Sequence, residues 1–196
     1  MDKQIMIAIG REFGSGGHEI AERIAKSMGI ALFDKNLLEI VAEKNNLDLK
    51  EVEKFDEKSR NLFLSRKVNG FSNAIEDTIA QMQFDHLKEC AQKGESFVVV
   101  GRCGDEVLKE YDHMLSIFIL GDKEDKIARV MNKYQLSRED AIEKMARHDR
   151  KRRVYHDSLA KGDWGDAHAY DMCINSSRFG VEKTAEILVD FIKASL

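Results

Sequence analysis

The chain has 196 residues, 34% of them charged, and a formal net charge of -4. That length suits one domain with a full core, and the acidic balance argues against a general nucleic-acid binder. No apolar run approaches the ~18 residues of a membrane span, and the opening MDKQIM has no signal-peptide pattern. Cys90, Cys103 and Cys173 are too few and too far apart for a zinc framework, so a reducing cytoplasm is the expected setting.

Ile5–Ile9 reads as a short buried strand running into a glycine-rich loop, Gly10-Arg11-Glu12-Phe13-Gly14-Ser15-Gly16-Gly17. Gly17–Met28 is predicted as a helix with Ile20, Ala21, Ile24 and Ala25 inward. Ala31–Phe33 is a strand ending at Asp34, and Lys35–Asn45 a helix with Leu37, Leu38, Ile40 and Val41 as its apolar positions. Residues 47–70 are polar and helical in flavour, with no strand signal. Ser72–Lys93 is a long amphipathic helix closed by Gly94. Phe97–Val100 is a β-branched run too short for a helix, and Gly101-Arg102 follows at once. A short helix over Gly104–Tyr111, a strand over Leu115–Leu120 and a helix over Lys123–Tyr134 come next. Ser137, with Asp140 three residues on, resembles a capping box for a helix running to about Tyr155. Asp171–Ile174 is the last strand and Val181–Ala194 the last helix.

Short apolar strands separated by helices imply an α/β fold with a five-stranded parallel sheet covered on both faces. Ligands of such sheets bind beyond the carboxyl ends of the strands. The glycine loop, Asp34, Gly101-Arg102, Gly121-Asp122 and Asn175 all lie at those ends.

Strand, glycine loop and helix make a phosphate cradle, because glycines let backbone N–H groups approach an anion and the helix dipole favours it. The amides of Phe13, Gly14, Ser15, Gly16, Gly17 and His18 are expected to hold the donor phosphates. A standard loop reads GxxxxGK[ST], and here Gly17 stands where the lysine belongs. Loss of one such donor costs ~10²–10³ in rate, or roughly 3–4 kcal/mol, which slows catalysis at phosphates without abolishing it. Arg11 or an arginine from elsewhere in the chain is the expected replacement; a solvated loop arginine is the bland alternative. A dinucleotide site is the rival reading, since Gly14-x-Gly16 and Asp34 echo that fingerprint. Glu19 at the third glycine position and the longer loop argue against it.

Arg147, Arg150, Lys151, Arg152 and Arg153 crowd into one segment. On a helix Asp149, Arg152 and Arg153 share a face, which suits a lid swinging over phosphates as well as it suits a solvated surface. Asp34 fits an acceptor contact and a helix N-cap equally. Glu12 and Glu19 would repel phosphates unless bridged by Mg²⁺ or turned away, and Glu19 is placed to pair with Arg23. His18 is a loop neighbour without a catalytic assignment. Tyr155, Asp163 and Trp164 either shape an acceptor pocket or pack. The cysteines read as small buried residues.

Four segments carry a resemblance. AIGREFGSGG (8–17), FDKNLL (33–38), VVVGR (98–102) and FILGDKEDKIARVM (118–131) resemble the cytidylate kinase-like proteins, relatives of the bacterial cytidylate kinases among P-loop nucleoside monophosphate kinases. The resemblance implies a three-layer P-loop NTPase fold with a helical monophosphate-binding insertion at about 47–70 and a lid at about 145–168. Within it, Asp149 and Arg152 match a DxxR pattern and Arg102 binds the acceptor phosphate. Arg129 lies near the donor adenine, with Asn175-Ser176-Ser177 as the opposite wall. The cofactors implied are ATP and Mg²⁺, and the acceptor a nucleoside monophosphate, CMP or dCMP. An acceptor phosphate is ionised near neutral pH, so no strong base is needed. The chain departs from the pattern at Gly17, at Glu19 where a magnesium-holding threonine is common, and at Cys103 where aspartate often follows Gly-Arg. A kinase of another small molecule, or a nucleotide-binding regulator without turnover, stays open.

Overall fold

A computed structural model describes residues 3–54, 67–68, 71–72 and 75–196. The elements are β1 (Met6–Arg11), α1 (Gly17–Met28), β2 (Ala31–Phe33), α2 (Asn36–Lys44), α3 (Leu49–Glu53), β3 (Lys67–Val68), β4 (Phe71–Ser72) and α4 (Ile75–Gln92). They continue with β5 (Phe97–Val100), α5 (Gly104–Val107), β6 (Met114–Leu120), α6 (Lys123–Tyr134), α7 (Arg138–Asp157), β7 (Met172–Asn175) and α8 (Gly180–Ala194).

Five strands form one parallel sheet in the order β2-β5-β1-β6-β7. Successive side chains of a strand point to opposite faces. Ile5, Ile7 and Ile9 therefore meet α1 and α8 through Ile20, Ile24, Leu188 and Ile192. Met6 and Ala8 face the other way, onto Leu37 and Val41 of α2 and Leu87 of α4. Covered on both sides, the strands carry continuous apolar runs instead of alternating ones. From β1 the chain goes first to β2 and β5 on one side, then to β6 and β7 on the other. The order reverses at the end of β1, where a crevice opens in such sheets. The glycine loop starts there.

Two expectations need correction. Residues 67–68 pair antiparallel with 71–72 (Lys67↔Ser72, Val68↔Phe71), so the 47–70 stretch is not purely helical and Ser72 does not open α4. Residues 55–66 of the expected insertion lie outside the described residues. The helix expected to reach Tyr111 stops at Val107, because the chain turns to bury Leu108 completely, and Tyr111 N–H donates to Leu108 O at 3.0 Å. Among the described residues no helix is long and apolar enough to cross a membrane.

Candidate active site

The loop is built from its backbone. Glu12 N–H donates to Ile119 O at 3.0 Å, tying the loop to β6. Ser15 Oγ donates to Glu12 O at 2.9 Å and accepts from Gly17 N–H at 3.3 Å. Gly14 and Gly16 have φ of +87° and +80°, a region open to glycine at little cost. A Cβ on Gly16 would also lie 2.6 Å from Val181 Cγ2. Gly16 caps α1 with no side-chain hydrogen bond. The first-turn amides and the helix dipole thus form a ready anion site. His18, exposed, lies 3.3 Å from Glu22 and 3.5 Å from Asp34.

On the donor side, Arg129 Nη1 donates to Gly14 O at 2.5 Å. Asn175 Nδ2 donates to Asp122 Oδ1 at 2.8 Å, and its Oδ1 accepts from Ser177 N–H at 3.0 Å. Ser176 Oγ donates to Ser15 O at 2.6 Å. The structure therefore brings Arg129 and the 175–177 turn to the loop from two sides. Lys126 was missed in the sequence. It is buried, only 8% exposed, yet its ammonium lies 2.7 Å from Glu12 Oε2, which also accepts from Gly121 N–H at 3.1 Å. Glu12 is thus neutralised within the protein. The signal was available: Lys126 shares a helical face with the buried Val130, four residues on.

Helix α7, which holds the first part of the expected lid, contacts the loop. Asp149 Oδ1 accepts from Phe13 N–H at 2.7 Å, so a carboxylate holds one of the amides expected to bind phosphate. Arg152 Nη1 donates to Arg11 O at 3.2 Å and lies 3.5 Å from Asp149 Oδ1. The Phe13 ring stacks on His148 at 4.3 Å and 11°, with the Arg152 guanidinium 5.4 Å from its centre. Burial, then the charges of Arg152, Lys144 and Arg147, pull the His148 pKa down to about 4. Burial raises the Asp149 pKa, outweighing the Phe13 amide and Arg152, which act the other way. Arg153 is placed differently. It is exposed, with its guanidinium 5.4 Å from the centre of the Trp164 ring. Glu19 pairs with Arg23 at 3.3 Å.

At the end of β5 the chain makes a strained turn. Gly101, Arg102 and Cys103 have φ of +75°, +58° and +50°, and each non-glycine there costs about 1–2 kcal/mol. The turn buries Arg102 to 3% exposure and brings its Nη2 to 3.5 Å from Asp34 O. Asp34 Oδ1 accepts from Asn36 N–H at 3.0 Å and Asn36 Oδ1 accepts from Asp34 N–H at 2.9 Å, a reciprocal pair at the turn before α2, whose N-cap is Lys35 and not the expected Asp34. A cavity of about 20 Å³ is lined by Arg11, Arg102, Asp105, Arg152, His156 and Trp164, among others. That space holds about one water. Trp164 and Tyr155 are buried as well as lining the cavity. His156 is clamped between Asp105 Oδ2 at 2.7 Å and Asp157 Oδ1 at 3.2 Å. Burial opposes its charge, but the two carboxylates outweigh burial and raise its pKa. Sequence reasoning missed this pair, whose members lie 51 residues apart with no local spacing to reveal them.

The sequence profile of the cytidylate kinase-like family matches residues 6–178. The chain belongs to the cytidylate kinase-like family. An uncharacterized protein from Eubacterium ventriosum is 34% identical, with 97% of this chain and 99% of that one covered and a TM-score of 0.77. A shikimate kinase from Bacteroides thetaiotaomicron (12% identical, 96% and 98% covered, TM-score 0.56) shares the fold. So does a Thermus thermophilus protein (16% identical, 100% and 99% covered, TM-score 0.59). No curated protein matches the chain. The fold is that of the P-loop kinases. This member of the cytidylate kinase-like family carries Gly17 where the GxxxxGK[ST] pattern has lysine.

Proposed function

We propose that this protein transfers the γ-phosphoryl group of ATP to a small anionic acceptor, a nucleoside monophosphate, with CMP or dCMP the acceptor that family membership suggests. The observation that carries the reading is convergence. The first turn of α1, Arg102 at the end of β5 and Arg152 of the lid meet where the sheet order reverses. Phosphoryl transfer asks for positioning and charge neutralisation of two polyanions, and this arrangement supplies both.

The residues fit ATP. Three of the four residues over Gly14–Gly17 are glycine, the Ser15 hydroxyl is turned onto Glu12 O, and α1 aims its amino end at the turn. Main-chain amides from Phe13 to His18 would hold the donor phosphates. Arg129 and Asn175 would flank the adenine, and Asp34 and Arg102 would hold the acceptor. Among the described residues no cluster of three or more His, Cys, Asp or Glu forms a metal site. Mg²⁺ would be held chiefly by phosphate oxygens and water, with one or two carboxylates, for which Asp34 is a candidate. Mg²⁺ would neutralise charge between β- and γ-phosphates. Arg11 and Arg152 add positive charge at the cavity. Asp149 sets the lid against Phe13, and Arg153 steadies the segment after it through Trp164.

A second reading is a nucleotide-binding protein with little turnover. Gly17 favours it, as does the Asp149 carboxylate already on a loop amide. Release of ADP across a panel of monophosphates and other small acceptors separates the two. Turnover with a monophosphate supports the proposal. ATP binding without ADP release for any acceptor supports the second reading.

A further inference from the structure

The pattern GxxxxGK[ST] asks for glycine at its first position and lysine at its seventh. In this chain Arg11 stands at the first and Gly17 at the seventh. An arginine has replaced a glycine, and a glycine has replaced a lysine. The two residues are in contact. A Cβ added to Gly17 would lie 2.5 Å from Arg11 Cβ and 3.1 Å from Arg11 Cγ. The obstruction is the root of the arginine side chain, so no rotamer of Arg11 relieves it. Gly17 is the first residue of α1 and its φ is not positive. Its own backbone therefore does not demand glycine; its neighbour does.

We infer that Arg11 and Gly17 are a compensating exchange, in which Arg11 takes both the volume and the charge of the absent lysine. Its stem fills the space in which a side chain at 17 would begin. Its residue lines the cavity shared with Arg102 and Arg152, and Arg152 holds its carbonyl at 3.2 Å. A guanidinium presents a planar fork that matches phosphate oxygens. The charge that other loops deliver from the start of the helix comes here from the end of β1. This inference rests on the proposed phosphotransferase reading.

Two readouts test it. The first is melting temperature. Gly17→Ala lowers it in the wild type but raises it in Arg11→Gly, where the blocking Cβ is gone and alanine is the better helix former. Equal effects in both backgrounds overturn the steric half. The second is turnover with ATP–Mg²⁺ and the best acceptor. Arg11→Met keeps the stem and loses the charge, so it stays folded and turns over ~10²–10³-fold more slowly. Arg11→Gly is slowed at least as much, and Arg11→Gly/Gly17→Lys, which restores GxxxxGK, recovers most of the loss. Wild-type turnover by Arg11→Met, or a folded double variant no faster than Arg11→Gly, overturns the electrostatic half and leaves the proposed function standing. If the wild type shows no binding or turnover with any nucleotide, the proposed function fails, and the electrostatic half with it; the melts still decide the steric half.

Discussion

The Lys126–Glu12 pair offers a prediction with a size. Replacing Lys126 by Met leaves the Glu12 carboxylate half-buried, with the Gly121 N–H at 3.1 Å but no ammonium at 2.7 Å. Breaking a buried pair from one side costs about 3–5 kcal/mol. Glu12 keeps 27% of its side-chain exposure and one amide donor, so the cost is set lower, at about 2–3 kcal/mol. For a domain of this length that is a fall in melting temperature of roughly 4–12 °C. Glu12→Gln/Lys126→Met removes both charges and is expected to recover at least half the loss. The assay is a double-mutant cycle read by urea and thermal melts. The reasoning is refuted if Lys126→Met costs the same in the Glu12→Gln background as in the wild type. The same substitution also loosens residues 12–14, so weaker ATP–Mg²⁺ binding is expected alongside.

Further predictions concern the lid and the acceptor turn. Folded His148 binds its proton less tightly than the unfolded chain, whose value is 6.5. Stability therefore rises with pH from about 4 to about 6.5 and is fully present above; His148→Phe should flatten that limb in pH-dependent melts. His156 has the opposite sign. Its raised pKa gives stability that is full below 6.5 and is lost as pH rises through the folded value, and His156→Gln should remove the loss on the alkaline side. Arg102→Gly should be more stable than Arg102→Ala by about 1 kcal/mol, since only glycine relieves the positive φ, while both raise the acceptor KM and leave ATP affinity unchanged. Asp149→Ala should free the lid, read as faster tryptic cleavage among Arg147–Arg153; an unchanged rate would count against the contact with Phe13 as the latch.

The sheet was legible because both its faces are buried. Runs such as Phe97–Val100 have no amphipathic ambiguity, and glycine or a charged residue punctuates their ends. The loop was legible because its chemistry is local. The antiparallel pairing of 67–68 with 71–72 was lost because two-residue strands carry no periodicity. The charged partners were the least legible part. Lys126–Glu12 and His156–Asp105 join residues far apart in sequence, and long-range pairing leaves no spacing to read. Cys90 and Cys103, expected to be small buried residues, are buried, whereas Cys173 is half-buried.

Calorimetric titration of the folded wild-type protein with ATP–Mg²⁺ addresses the central claim most directly. One equivalent bound, together with a rise in melting temperature of roughly 5–11 °C at a hundredfold excess over Kd, is the expected result. Neither heat nor a shift with ATP–Mg²⁺ would contradict the account at its root.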